Sequence, residues 1–512
     1  MDRPANSRYY ACMKHQISSA LLKNLESKGV DVQRTLSVLD LIESKKATIP
    51  SISSNKLRVP DASDTRIIDR TVPAILRLSR EVAERRLSEL GLSRDCLPVR
   101  KVKSDFVFTE TELKRIGTLL YPRVAYGVLN GGSATTYIDR KKNQELDPAA
   151  FALMTREFDA ASLKSRDAPK GVTPAYVAAD GSMGPSFLVL KMRSLLLRAN
   201  EYRVLTGDVK TPVLPFFQMT SEGTDQSLRD AYRAYAGDPL LAPLIAKAGI
   251  DPTKALGGVQ PLLAALTHSS DGIPRRIFDR AYGEENEGLA LPGGHGENFR
   301  VLTSVYRKLR ESGIRWAYLG NVDNSGYTVD PVSVALIALK GASAAFEFSW
   351  KTQMDVKGGI LAERDDGKLS VAEIGQSIDK AEVTEAERSD KPILFNCATG
   401  LFDLDYLVPR LDRIVDELPI RVTDQDKEAG RYAQAEQNTW DIVGLLDDPL
   451  IFAVAKEKRF IAAKMLLETL LASPAGAKID GAADVSPGLK KASARLRTGF
   501  AGLLKSEFSL DL

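Results

Sequence analysis

The sequence predicts an α/β protein with a mixed, largely parallel sheet, a helical N-terminal region and a small C-terminal region. Three observations lead there. From about residue 101, short apolar runs end in Gly, Asn or Asp and give way to helical segments, as in "RVAYGVLNGG", "IRWAYLGNVDNSG" and "KPILFNCATGLFDL". Runs spaced in this way are the mark of strand–helix–strand units. Before that point the apolar residues follow helical spacing. A chain of 512 residues also exceeds one ordinary core, so two or three domains are expected. The divisions expected are 1–105 (helical), 106–408 (α/β) and 409–512 (C-terminal).

Taken in order, "PAILRLSREVAERRLSELGLS" places Ile75, Leu78, Val82, Leu87 and Leu90 at helical spacing. Pro73 stands at its start and Gly91 at its end, as helix punctuation prefers. A helical layer or an oligomer contact is expected there. In "YGVLNGGSATTYIDRKKN", Val124, Val128 and Leu129 belong to a strand core that turns at Asn130, Gly131 and Gly132. A glycine pair makes a tight turn, and it also lets backbone N–H groups meet a ligand closely. "LALPGGHGENF" surrounds His295 with glycines; His15 and His268 lie far off in sequence. Zinc ligation is therefore not expected, which leaves a satisfied loop histidine or a ligand contact. "YLGNVDNSGYTVDP" ends an apolar run in Asn321, Asp323 and Asn324. That pattern makes an Asx turn, and it equally suits Mg2+, which takes few protein oxygens and completes its shell with water and phosphate. "DDG" within 363–368 signals a hairpin tip. Glu373, between Ala372 and Ile374, is an acid in an apolar setting; it needs a partner, and a sugar hydroxyl is one. "SPAGAKIDGAADVSPG" reads as a loop before a last helical segment.

Composition narrows the partners. Seventy basic residues against 67 acidic ones leave a net charge of +3, which argues against nucleic acid. Cys12, Cys96 and Cys397 are too few for a disulfide framework, so a reducing cytoplasm is expected. The N-terminus lacks the apolar stretch of a signal peptide, and no run of 18 apolar residues suggests a membrane span.

In sequence order, "LNGG", "APKG", "FQMTS", "GHGE", "GNVDNSG", "KTQMDVKGG", "VAEIGQS", "FNCATG" and "RFIAAK" resemble the motifs of the UDP-sugar pyrophosphorylases over about residues 120 to 468. "LNGG" rather than "LAGG" points to the glucose branch. The resemblance implies a Rossmann-like nucleotidyltransferase core that joins UTP and glucose 1-phosphate into UDP-glucose, with Mg2+ as cofactor. It also implies roles. Leu129, Asn130, Gly131 and Gly132 would hold the nucleotide, Met219 would pack on the base and Gln260 would read the uracil edge. Gly294 and His295 would sit between nucleotide and sugar phosphate. Asn321, Gly358, Glu373, Phe395 and Asn396 would hold the sugar, and Asp323 the Mg2+. Lys170 and Lys464 would be the phosphate lysines, with Lys141 and Lys142 as alternatives to Lys170.

The chain departs from the family pattern in five places. Ala134 stands where the family has glycine, and 138–167 looks like an insertion, a lid or a partner contact. "GHGE" replaces GHGD, and "FNCAT" replaces FNTNN. Too few residues follow Lys464 for the left-handed β-helix of larger members. Two other functions stay open: a pyrophosphorylase for N-acetylhexosamine 1-phosphates, and a catalytically silent binding protein on the same fold.

Overall fold

The computed structural model describes residues 17–44, 47, 49–61, 63–352 and 355–511. Cys12, His15 and the Gln353–Met354 part of "KTQMDVKGG" lie outside them. Ten strands form the central sheet: β1 (Ile67–Asp69), β2 (Val124–Leu129), β3 (Phe216–Ser221), β4 (Leu256–Gln260), β5 (Trp316–Asn321), β6 (Ala344–Trp350), β7 (Gly359–Glu363), β8 (Leu369–Glu373), β9 (Leu394–Asp403) and β10 (Leu450–Val454). The order is β1-β10-β6-β9-β5-β2-β3-β4, with the β7–β8 hairpin attached to β9. Neighbours are parallel except around β9, which runs against β5, β6 and β7, and within the hairpin.

Every residue of β2 is buried, which is why that stretch reads as a continuous apolar run and not as an alternation. Its two faces feed different cores. Tyr126 and Val128 join Trp316 and Tyr318 on one side. Ala125 and Leu129 join Ala317 and Leu319 on the other. Residues 364–368 form the tip of the β7–β8 hairpin, closed by the Arg364 N–H donating to the Lys368 carbonyl.

The region 1–105 is not uniformly helical. Helices Ser19–Ser27, Val32–Ser44 and Arg80–Glu89 share it with β1 and with a small antiparallel sheet of Leu76–Ser79, Asp105–Phe108 and Lys101–Val102. The helix expected from Pro73 starts at Arg80, where the Ser79 hydroxyl accepts the Val82 N–H. Upstream, Leu76 pairs with Phe108 in the small sheet, and this long-range pairing overrides a spacing that suits either structure. The expected boundaries at 105 and 408 also cut through one sheet, since β1 and β10 pair with each other.

The stretch 138–167 is two helices, α1 (Arg140–Leu146) and α2 (Pro148–Ser165). A long helix, α3 (Phe187–Thr206), follows. After Lys464 come α4 (Leu466–Ala472), a tight turn over Pro474–Ile479, and α5 (Pro487–Phe508). Phe500, Leu504 and Phe508 of α5 join the core that α3 covers. Among the described residues no helix is long and apolar enough to cross a membrane.

Candidate active site

Strands β2, β3 and β5 end side by side, with Leu129 opposite both Met219 and Asn321. Parallel strands that stop together leave a crevice beyond their carboxyl ends. Here it is a cleft of about 680 Å³, walled by the glycine turn, Gln260, Gly294, His295, Asn321, Asp323 and both expected phosphate lysines.

The glycine turn is tied to the strand beside it and to a return segment. The Ser221 hydroxyl donates to the Gly131 carbonyl at 2.7 Å. The Lys170 N–H donates to the Gly132 carbonyl at 3.0 Å, and the Ala134 N–H to the Ala168 carbonyl at 3.0 Å. The chain thus leaves the turn, builds α1 and α2, and returns to the same turn carrying Lys170. Lys170 Nζ lies 2.5 Å from Asp323 Oδ2 and 2.5 Å from the Ala463 carbonyl, over the Tyr137 ring. Lys141 and Lys142 lie on α1 with side chains 88% and 54% exposed, and neither lines the cleft. Of the two candidate positions, Lys170 is the one brought to the site.

Asn130 does not face the cleft. Its side chain is buried behind the turn, where Nδ2 donates to Gln218 Oε1 at 3.1 Å. A Cβ at Gly171 would lie 2.4 Å from its Oδ1, so a neighbouring glycine makes the space. Any contact of Asn130 with a nucleotide is left to its backbone.

Met219 is buried in the cleft wall. Gln260 Nε2 donates to the Gly294 carbonyl at 2.9 Å. Its Oε1 stands 3.4 Å from the point where a Gly131 Cβ would be. Gly294 has φ +84°, and a Cβ there would be 2.4 Å from the Gln437 carbonyl. Only glycine fits that position.

Thr439 orients the histidine beside it. The Thr439 N–H donates to His295 Nδ1 at 3.2 Å. The Thr439 hydroxyl also lies 2.8 Å from Nδ1 and donates to the His295 carbonyl at 2.8 Å. Burial, with Arg421 and then Lys464 nearby, lowers the His295 pKa from 6.5 to about 4, against an opposing pull from Asp323. The imidazole is therefore neutral at physiological pH. Because the folded-state value is depressed, its contribution to stability is complete above pH 6.5 and is lost as pH falls through about 4. A histidine NMR titration, assigned by comparison with His295→Gln, is expected to show this ring unprotonated at pH 5.5. A midpoint at or above 6.5 refutes the assignment.

The acid of "GHGE" is turned away from the cleft. Glu297 is 1% exposed and lies under the loop, accepting from Arg34 and from Arg300 at 2.7 Å each. The change from the family's aspartate concerns anchorage to the Val32–Ser44 helix, not a sugar contact.

The expected sugar residues divide. Asn321 lines the cleft. Gly358 and Glu373 form a neighbouring shelf, joined to it where Lys464 Nζ donates to the Lys357 carbonyl at 3.0 Å. The Ile374 N–H bonds the Gly358 carbonyl, and a Cβ at Gly358 would lie 2.4 Å from the Phe395 ring. Phe395 is a core residue, clustered with Ile360, Ile393 and Phe460, so its ring packs under the shelf and does not face the cleft. Asn396 is buried and accepts the Ala398 N–H.

Sequence reasoning missed Thr439, Tyr137 and Arg421. Arg421 donates to Asp441 Oδ1 at 2.6 Å and stands 3.9 Å from Glu373. Burial pushes the Asp441 carboxyl up, and the guanidinium pulls it back. None of the three carries a local signal, since each matters through a residue distant in sequence. Asn324 does more than its local pattern shows. The Asx turn is present, as the Gly326 N–H donates to Asn324 Oδ1 at 3.0 Å. The same Oδ1 accepts the Ile461 N–H, and Nδ2 donates to the Arg459 carbonyl, tying the Asp323 turn to "RFIAAK".

Among the described residues no group of three or more His, Cys, Asp or Glu is placed to hold a metal. Asp323 is the single carboxylate among the described residues lining the cleft.

Residues 276–475 match the family model described as UTP--glucose-1-phosphate uridylyltransferase. A probable UTP–glucose-1-phosphate uridylyltransferase of Schizosaccharomyces pombe is 26% identical over 235 residues, covering 46% of this chain and 40% of that protein. The Encephalitozoon cuniculi enzyme of that name is 30% identical over 131 residues, covering 23% of this chain and 26% of its own. The aligned part of the chain thus spans well under half the length of these curated relatives. Among solved structures, a Trypanosoma brucei uridine diphosphate N-acetylglucosamine pyrophosphorylase superposes with a TM-score of 0.58 at 17% identity, over 94% of this chain and 79% of its own. A Leishmania major UDP-glucose pyrophosphorylase solved with UDP-glucose gives 0.54 at 17% identity, over 89% and 79%. At such identities the superpositions establish the shared fold. The family model and the sequence relatives carry the same description, so the chain is similar to the UDP-sugar pyrophosphorylases in fold and over part of its sequence.

Proposed function

We propose that the protein is a uridylyltransferase that forms UDP-glucose and pyrophosphate from UTP and glucose 1-phosphate. The observation that carries this reading is the cleft itself, where a glycine turn, Lys170, Lys464, His295 and Asp323 converge at the carboxyl ends of the strands. A phosphate oxygen of the sugar phosphate forms a bond to the α-phosphorus of UTP. The bond from that phosphorus to the β-phosphate bridge breaks, and pyrophosphate leaves with the electron pair. The attacking oxygen is already ionised, so no general base is needed. The work is alignment of two anions and neutralisation of their charge.

Lys170 and Lys464 suit that work as mobile point charges. Neutral His295, held at Nδ1 by Thr439, leaves Nε2 for a hydrogen bond with the ligand. Asp323 would hold Mg2+. The donor set fits, because an ion that keeps waters and takes phosphate oxygens needs few protein carboxylates. When bound, it supplies Lewis-acid charge to the phosphate oxygens. Gln260 Oε1 is an acceptor for the uracil N3–H, and cytosine has no hydrogen at that atom. A cytoplasmic setting accords with nucleotide triphosphate as substrate.

Pyrophosphate release measured with UTP and a panel of sugar 1-phosphates tests the proposal. Glucose 1-phosphate is expected to exceed its N-acetylhexosamine counterparts by at least ~10-fold in kcat/KM, a margin of about 1.4 kcal/mol. The opposite order moves the substrate to an N-acetylhexosamine 1-phosphate. UTP binding without turnover on any sugar identifies a silent binding protein. Gln260→Ala is expected to reduce the preference for UTP over CTP by about 10-fold; an unchanged preference removes Gln260 from base recognition.

A further inference from the structure

The extra helices α1 and α2 neither stand off the protein nor cover the cleft. Phe151, Met154 and Phe158 of α2 share an apolar cluster with Leu467, Leu470 and Leu471 of α4, separate from the two cores of the sheet. Ala134 and Ala463 belong to the same cluster. The first is two residues beyond the glycine pair, and the second precedes Lys464.

Polar contacts seal the joint. Asn143 on α1 is fully buried and uses both ends of its amide. Nδ2 donates to the Tyr137 carbonyl at 2.9 Å, and Oδ1 accepts the Leu467 N–H at 2.8 Å. The Leu466 N–H donates to the same Tyr137 carbonyl at 2.9 Å. The Tyr137 hydroxyl donates to Thr469 Oγ1 at 2.7 Å. At the rim, Lys478 pairs with the buried carboxylate of Glu157 at 2.6 Å. At the start of α4, Glu468 accepts the N–H groups of Lys464 and Met465.

The two phosphate lysines come from opposite ends of this body. Lys170 enters as the chain leaves α2, and its Nζ bonds the Ala463 carbonyl. Lys464 opens α4. They are 294 residues apart in sequence, yet each is held by a segment that Asn143 and Tyr137 join to the other's.

We propose that α1 and α2 are a brace that fixes the mutual position of Lys170 and Lys464, with Asn143 as its positioning residue. The catalytic part of this inference rests on the function proposed above; the mechanical part does not. Electrostatic stabilisation by preset charges depends on their staying in place as charge develops. A loosened pair still meets UTP but meets the transition state less well, so the loss falls on kcat more than on KM.

The test combines hydrogen exchange with kinetics on the full chain. Asn143→Ala is expected to speed amide exchange by at least ~10-fold at 464–468 and at 133–137 together, the effect of losing about 1.4 kcal/mol of local stability. Exchange in β2 and β5 is expected to stay unchanged. kcat is expected to fall about 10-fold or more, with KM for UTP within about threefold. Tyr137→Phe removes only the hydroxyl bond to Thr469, and it is expected to give the same paired loosening to a smaller extent. It serves if Asn143→Ala does not fold. Loosening at only one of the two segments overturns the brace. So does paired loosening with unchanged kcat. If the native protein turns over no sugar phosphate, the proposed function fails, and paired exchange alone still decides whether the brace exists.

Discussion

Asp323→Ala is expected to reduce kcat by at least ~10³-fold with the fold retained, because it removes the single carboxylate lining the cleft among the described residues. Two effects meet at this residue. In the absence of substrate, Asp323 is the ion-pair partner of Lys170 at 2.5 Å. With substrate, it would hold Mg2+ against the phosphates. Loss of the pair alone costs roughly 1–3 kcal/mol of stability, as for a buried charge left without its partner. That is a small shift in melting temperature for a chain of this length. The catalytic loss is separable from it by titrating Mg2+. The Mg2+ concentration for half-maximal activity is expected to rise at least ~10-fold in Asp323→Asn, which keeps the shape of the turn but not its charge. Unchanged Mg2+ dependence in Asp323→Asn removes the residue from the metal site.

Lys170→Ala is expected to lower kcat by about 10²-fold or more, with a smaller change in KM for UTP. The lysine stands against the return of the chain to the glycine turn, where its own N–H bonds the Gly132 carbonyl. The backbone bond survives the substitution, so the turn stays closed while the charge is lost. Lys141→Ala combined with Lys142→Ala is expected to leave kcat within about twofold, since exposed charges contribute little at a distance. A dead Lys141/Lys142 double variant beside an active Lys170→Ala reverses the assignment. A double-mutant cycle of Lys170→Ala with Asp323→Asn adds a further check. Their ion pair predicts that the two losses do not add.

The cleft was largely legible because its pieces are local. Val124 to Leu129 announce a buried strand, Gly131–Gly132 a turn open to a ligand, and Asp323–Asn324 an Asx turn at a strand end. Each follows from backbone conformation and period over a few residues. The hairpin tip at 364–368 is of the same kind. Where reading failed, a distant partner decided the outcome. Leu76 and Leu78 fit a helix as well as a strand, and pairing with Asp105–Phe108 selected the strand. Phe395 was placed on the sugar, and Ile360 and Phe460 draw it into the core. Asn130 looked like a ligand residue, and Gln218 holds it behind the turn.

The sequence by itself determined the α/β class, the strand ends that meet at the cleft, the glycine at 294 and the resemblance to a family. Only the tertiary structure decided which lysine follows the glycine turn, which residue holds the His295 ring, and where the acid of "GHGE" points. Thr439 reaches His295 across 144 positions, and Arg34 reaches Glu297 across 263. Such pairings leave no period or spacing in the chain. They are set by which surfaces the sheet and its helices bring together, after each local preference has been satisfied.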